Sequence, residues 1–226
     1  MNTWRRSFSA NRKMALSAVE VFVIIACVAL LAAVFLPALA RSKARSSRLN
    51  CGNNLKQIGL GFVNWSLDNN DHYPMQVSVT NGGTMELIAS GSVYCHFQVM
   101  SNELSTPKIL LCPNDEQRSC AINFGIATNF GAGLTDKNLS YFVNVGATRN
   151  DGSGLLIGDR NITNRPRPGS PLVSLSQGDT IGWTKEIHSG KGYLGFNDGR
   201  VELFKNRGVG AAIKIGEGDT NWLAVP

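Results

Sequence analysis

Histidine is scarce in this sequence, and the patterns missing around it leave little room for familiar metal or hydrolase chemistry. The three residues, His72, His96 and His188, lie 24 and 92 positions apart. None belongs to an H-E-x-x-H pair, which would place two imidazoles on one helix face. No two of the five cysteines have C-x-x-C spacing, so neither a zinc knuckle nor a thioredoxin-type motif is written here. His188-Ser189 pairs a base with a nucleophile only by adjacency, and no G-x-S-x-G elbow exists to expose a serine. Asp151, Asp159 and Asp198 fall outside any D-x-D-x-D-G calcium loop. Gly190–Gly195 spells G-x-G-x-x-G, yet it opens a hairpin pattern where a dinucleotide fingerprint must open a helix. No internal repeat is visible. A non-enzymatic chain without a cofactor is the expectation.

Acidic residues are missing on both sides of one apolar run. Arg5, Arg6, Arg12 and Lys13 precede it and Arg41, Lys43, Arg45 and Arg48 follow it, with no acid among either group. Those eight account for the net charge of +6: after Asn50, 14 basic residues face 15 acidic ones. Basic clusters beside a membrane segment meet anionic headgroups. The nearly neutral body carries no nucleic-acid footprint, and no nucleic-acid partner is expected.

The run itself, Ala15–Ala40, contains 16 consecutive apolar residues from Val21 to Leu36 and only Ser17 and Glu20 as polar interruptions. About 20 helical residues suffice to span a bilayer. A secretory signal peptide ending at Ala38-Leu39-Ala40 and a plain one-pass anchor both fit the length. Neither gives Glu20 a purpose. Beyond the run, Cys51, Leu55, Ile58, Phe62 and Trp65 recur at spacings of 4, 3, 4 and 3, one stripe of a helix. A single helix over residues 16–67 follows, with 16–39 apolar all round and 40–67 amphipathic. Pro37 and the glycines Gly52, Gly59 and Gly61 weaken it locally. A cleaved signal has no need of such a continuation.

A basic leader, a small residue, a hydrophobic residue and a glutamate four positions later at the head of an apolar helix resemble class III prepilins. These are the precursors of type IV pilins and type II secretion pseudopilins. Where that family has Gly-Phe-Thr-Leu-Ile-Glu, this chain has Ala15-Leu16-Ser17-Ala18-Val19-Glu20. Two positions depart from it: alanine stands for glycine before the cut, and leucine for phenylalanine after it. Further blocks are similar to pseudopilin-like proteins: "CGNNLKQIGLGFVNWSLDNNDHYP", "LLCPND", "LSYFV", "LIGDRN" and "HSGKGYLGFNDGRVELF". In the last of these, Tyr193 stands where the group usually has asparagine.

The resemblance implies an α+β, pilin-like fold in which a long membrane-spanning helix packs on an antiparallel sheet. It implies a leader over residues 1–15, prepilin peptidase cutting between Ala15 and Leu16, and N-methylation of Leu16. Glu20 then neutralises the new amine during assembly, since a buried charge is tolerable only when paired, and Pro37 takes the place of the family's mid-helix proline. The implied partners are other pilin-like subunits, the peptidase, the inner membrane and a secretion or pilus assembly machinery. The chain would cross the inner membrane once and present residues 68–226 as a periplasmic, β-rich domain. The alternative is an anchored periplasmic module that binds a ligand or exported substrate without forming a fibre.

In the body, Asn69-Asn70-Asp71 and Pro74 supply turn chemistry that ends the helix. Tyr193–Phe196 and Val201–Phe204 flank Asn197-Asp198-Gly199, a β-hairpin signal. A sheet packed on the helix stripe gives one core. Cys27 lies in the apolar run. The other four cysteines allow three disulfide connectivities; Cys112 and Cys120, nearest in sequence, form the candidate pair, with free buried thiols as the alternative.

Overall fold

The computed structural model describes residues 17–125, 133–164, 171–176, 179, 181–205 and 220–226. The leader, Ala15 and Leu16 lie outside the described residues. Two compact units are present, Met1–Ala44 and Arg45–Pro226.

Helix α1, Ala18–Leu67, continues as helix through Pro37. In the first unit its large apolar side chains, among them Phe22, Ile24, Leu30, Val34 and Leu36, are exposed. It is the one helix among the described residues long and apolar enough to cross a membrane, judged by length and composition. A helix apolar on every side has no preferred protein-facing stripe and suits an apolar surrounding.

In the second unit the same helix becomes one-sided. Cys51, Leu55, Ile58, Phe62 and Trp65 are buried, while Leu60 and Leu67 on other faces are exposed. The 3.6-residue period brings the 4-3-4-3 spacing onto one line. Phe62 meets Tyr73 and Phe97 edge-on, at centroid distances of 5.6 and 6.2 Å. The last carbonyls of α1 need outside partners. Asn69 Nδ2 donates to the carbonyl of Trp65 at 2.8 Å, and Arg149 Nη1 donates to that of Val63 at 3.2 Å. The Arg149 cation suits the negative end of the helix dipole, and its Nε pairs with Asp71 at 3.0 Å. Asn70 and Asp71 take positive φ, 55° and 59°, a region these residue types tolerate better than most.

Short helical turns follow: 3₁₀ segments at Pro74–Gln76, Val79–Asn81, Met85–Ser90 and Pro107–Leu110, with α2 at Tyr94–Gln98 and α3 at Ser101–Leu104 between them. A further 3₁₀ turn, Asp136–Asn138, leads into the strands. These are β1 Tyr141–Asn144, β2 Leu155–Asp159, β3 Leu172–Ser176, β4 Lys191–Phe196, β5 Val201–Lys205 and β6 Thr220–Ala224. They form one sheet in the order β3-β6-β1-β2-β4-β5, antiparallel at every pairing. A long helix with an antiparallel sheet is the expected α+β class.

The central strands β1 and β2 are buried along their whole length. Successive residues of a strand face opposite sides, so Tyr141 and Val143 join the cluster that holds the α1 stripe, while Phe142 joins a second cluster with Ile162, Trp183 and Leu194. A register shift between Leu155 and Ile157 interrupts the alternation, and Leu156 and Ile157 both belong to the α1-side cluster. The single core expected from the sequence is thus corrected to two. The segment between β2 and β4, with Ile162, Ile181 and Trp183, covers the face that the sequence pattern left unassigned. Gly192 faces Trp183 so closely that a Cβ there would lie 2.3 Å from the indole. The β4–β5 hairpin turns where Asp-Gly places it, with Gly199 at φ 80°. Edge strand β5 carries Glu202 and Lys205 and is flanked by Arg200, charges that discourage edge-to-edge pairing.

Candidate functional site

At the head of α1, Glu20 is the acidic residue of the first turn. Its carboxylate folds back toward the chain start and accepts a hydrogen bond from the Ser17 N–H at 2.7 Å. A carboxylate satisfies an orphan donor and the positive end of the helix dipole there. Pro37 lies within α1, 17 positions further on. Glu20 and Pro37 touch no other candidate residue among the described contacts, and the cleavage residues Ala15 and Leu16 are not described.

The expected disulfide is corrected. Cys112 is bonded to Cys51, across 61 positions, while Cys120 is free and exposed. Proximity in sequence is a poor guide because a disulfide needs Cα atoms about 4.4–6.8 Å apart in space. The α1 stripe places Cys51 at its first buried position, and the 3₁₀ turn Pro107–Leu110 delivers Cys112 beside it. The bond ties α1 to the body of the second unit.

Around this bond, side chains from distant segments of the chain converge. His188 Nε2 lies 3.5 Å from Cys112 Sγ and 3.5 Å from Asp159 Oδ2. Asp159 ends β2, and its Oδ2 accepts the Tyr193 N–H from β4 at 2.8 Å. Ser189 and Gly190, both left-handed at φ 54° and 78°, turn the chain sharply between His188 and β4. The Tyr193 ring meets His188 edge-on at 5.8 Å and crosses Gly52 of α1, where a Cβ would sit 3.1 Å from it. Asn54 Nδ2 donates to the Leu111 carbonyl at 3.0 Å. Cys51, Cys112, Asp159 and His188 are each no more than 3% exposed.

A charged layer lies next to this cluster. Arg160 grips Asp115 with Nε and Nη2, both at 2.7 Å, and the Ser140 hydroxyl donates to Asp115 Oδ2 at 2.8 Å. A bidentate, hydrogen-bonded pair is the arrangement in which burying two charges is tolerable. Arg160 also reaches Glu186 at 3.4 Å.

Burial decides the protonation of the inner groups. Desolvation, with the Arg48 charge acting in the same direction, lowers the His188 imidazole to about 4. Desolvation raises Asp159 to about 8, against the Tyr193 hydrogen bond that favours its ionised form. Both shifts favour the uncharged forms of the two groups across their 3.5 Å contact. Asp159 Oδ1 and His188 Nδ1 are buried without hydrogen-bond partners.

Of the three histidines, His72 is exposed and His96 is buried against the Thr84 hydroxyl at 2.8 Å. Asp151 and Asp198 are remote in chemistry from buried Asp159, Asp198 pairing with Arg200 at the hairpin. Among the described residues, the group with metal-ligand proximity is Cys51, Cys112 and His188. Sequence spacing missed it because its members come from three segments. The signal was present only as separate motif blocks without an evident reason to meet. Comparison of this chain with protein-family models, with curated proteins and with solved structures finds no match.

Proposed function

We propose that this chain is a pilin-like structural subunit, held in the inner membrane by the first part of α1 and packed by it into a pseudopilus or pilus-like fibre. One observation carries the reading: the exposed apolar helix keeps a single carboxylate, Glu20, and turns it back onto the Ser17 N–H at its head. A plain anchor gains from the charge only the capping of its helix start, against a cost in free energy on insertion. An assembly of such helices does gain, because a terminal ammonium buried among apolar neighbours needs a counter-charge. The motif Ala15–Glu20 supplies the cut that creates the ammonium at Leu16, and prepilin peptidase and N-methylation enter by the same resemblance. The sheet domain then follows as a periplasmic body without catalytic duty.

Crosslinking between subunits in membranes tests this. Glu20→Gln should leave monomer levels and the folding of residues 45–226 unchanged while oligomer ladders disappear. Ladders that persist in the variant would remove Glu20 from assembly and favour a plain anchor.

A further inference from the structure

We propose that, once the Cys51–Cys112 disulfide is reduced, the two thiolates and His188 form a tetrahedral site for one zinc-class divalent cation, with the fourth position left to an exogenous ligand. The geometry of the second unit carries this. The sulfurs of Cys51 and Cys112 and a ring nitrogen of His188 all lie within 4.8 Å of one another, and all three residues are buried. Zinc bonds of about 2.0–2.3 Å imply separations of roughly 3.3–3.8 Å between neighbouring ligand atoms of a tetrahedron. The contact from His188 Nε2 to Cys112 Sγ, 3.5 Å, falls inside that range. Asp159 Oδ2, 3.5 Å from His188 Nε2, lies beside this group without belonging to it. Two sulfurs and one nitrogen favour a borderline-soft ion of zinc type over calcium or magnesium.

The chemistry balances with a dithiol reductant. Two electrons from the dithiol break the sulfur–sulfur bond, two protons leave Cys51 and Cys112 as thiols, and the dithiol becomes its own disulfide. The incoming cation then displaces the thiol protons to solvent, and the sulfurs part to about 3.8 Å, as a tetrahedron requires. The same two cysteines hold α1 to the body in either state, covalently when oxidised and through the ion when reduced.

The probe is Co²⁺, titrated anaerobically into the full chain in detergent after reduction and removal of the dithiol. One equivalent should produce the intense visible bands of tetrahedral cobalt with a thiolate-to-cobalt charge-transfer band, and one equivalent of Zn²⁺ should abolish them. The oxidised chain should show neither. Replacing Cys27, Cys95 and Cys120 by alanine should leave the spectrum intact. His188→Gln should weaken binding by more than the 10–100-fold that outer-shell partners typically carry. Absence of tetrahedral bands in a reduced chain that keeps its circular dichroism overturns the proposal. So does an unchanged spectrum in Cys51→Ser/Cys112→Ser. If reduction unfolds the second unit, Zn²⁺ present during refolding of the reduced chain should restore it, and failure to do so is equally fatal.

Discussion

His188 Nε2 rests 3.5 Å from the sulfur of Cys112, although 76 positions separate the two residues. That contact exists because Cys112 is bonded to Cys51 and because the turn at Ser189-Gly190 aims His188 at the joint between α1 and the sheet. The disulfide closes a loop of 61 positions. In the chain-entropy account a loop of that length contributes about 4 kcal/mol. Chemical unfolding of a fragment beginning at Arg45 should show a loss of about 2–5 kcal/mol for Cys51→Ala/Cys112→Ala. Cys120→Ala, at an exposed free thiol, should change stability by less than about 0.5 kcal/mol. Equal effects of the two replacements would sever the disulfide from the stability of the fold.

Phe62 is fully buried between two aromatic rings, and Leu60, two positions earlier on the same helix, is largely exposed. Phe62→Ala should cost about 3–5 kcal/mol in the same fragment, by lost transfer free energy and a residual cavity. Leu60→Ala should cost less than about 0.5 kcal/mol. Urea titration of both variants reads the difference directly. A similar cost for the two would place the buried face of α1 elsewhere.

His96 is buried against Thr84, and desolvation lowers its pKa from 6.5 to about 4. The folded state therefore binds fewer protons than the unfolded state between those values. Its contribution to stability is fully present above about pH 6.5 and is lost as pH falls toward 4. The full effect is of order 3 kcal/mol. His188 is lowered in the same sense and Asp159 is raised, which acts oppositely. The measurement is accordingly a difference between variants. Unfolding free energy of His96→Gln, which keeps a partner for Thr84 but does not titrate, should rise less steeply from pH 4 to 6.5 than that of the wild type. Parallel slopes would mean that His96 is hydrated or charged in the folded protein.

The long helix was legible because a 3.6-residue period survives in any surroundings, and its end at Leu67 was legible because Asn70 and Asp71 accept left-handed backbone. The hairpin at Asp198-Gly199 was legible for the same local reason. What could not be read were features made by distant segments. The glycines Gly52 and Gly61 look like helix defects in the sequence, yet a Cβ at Gly52 would press on the Tyr193 ring and one at Gly61 would lie 2.7 Å from Leu104. Gly59 has nothing within 4 Å and remains a defect without a packing reason. The second core, the Cys51–Cys112 bond and the His188–Asp159 contact depend on strand order and on the fold of residues 160–187. No local spacing records either.

The proposed role of Ala15–Glu20 is that of a processing and assembly signal at the head of the apolar helix. N-terminal sequencing of the protein purified from membranes tests it most directly. The proposed role predicts a chain that starts at Leu16, with a methylated amine visible by mass spectrometry. It also predicts that replacing Ala15 with a bulky residue leaves the precursor uncut, because a prepilin peptidase requires a small residue before the cut. A chain beginning at Arg41, as a signal peptidase would leave it, or one retaining residues 1–15, would rule that role out.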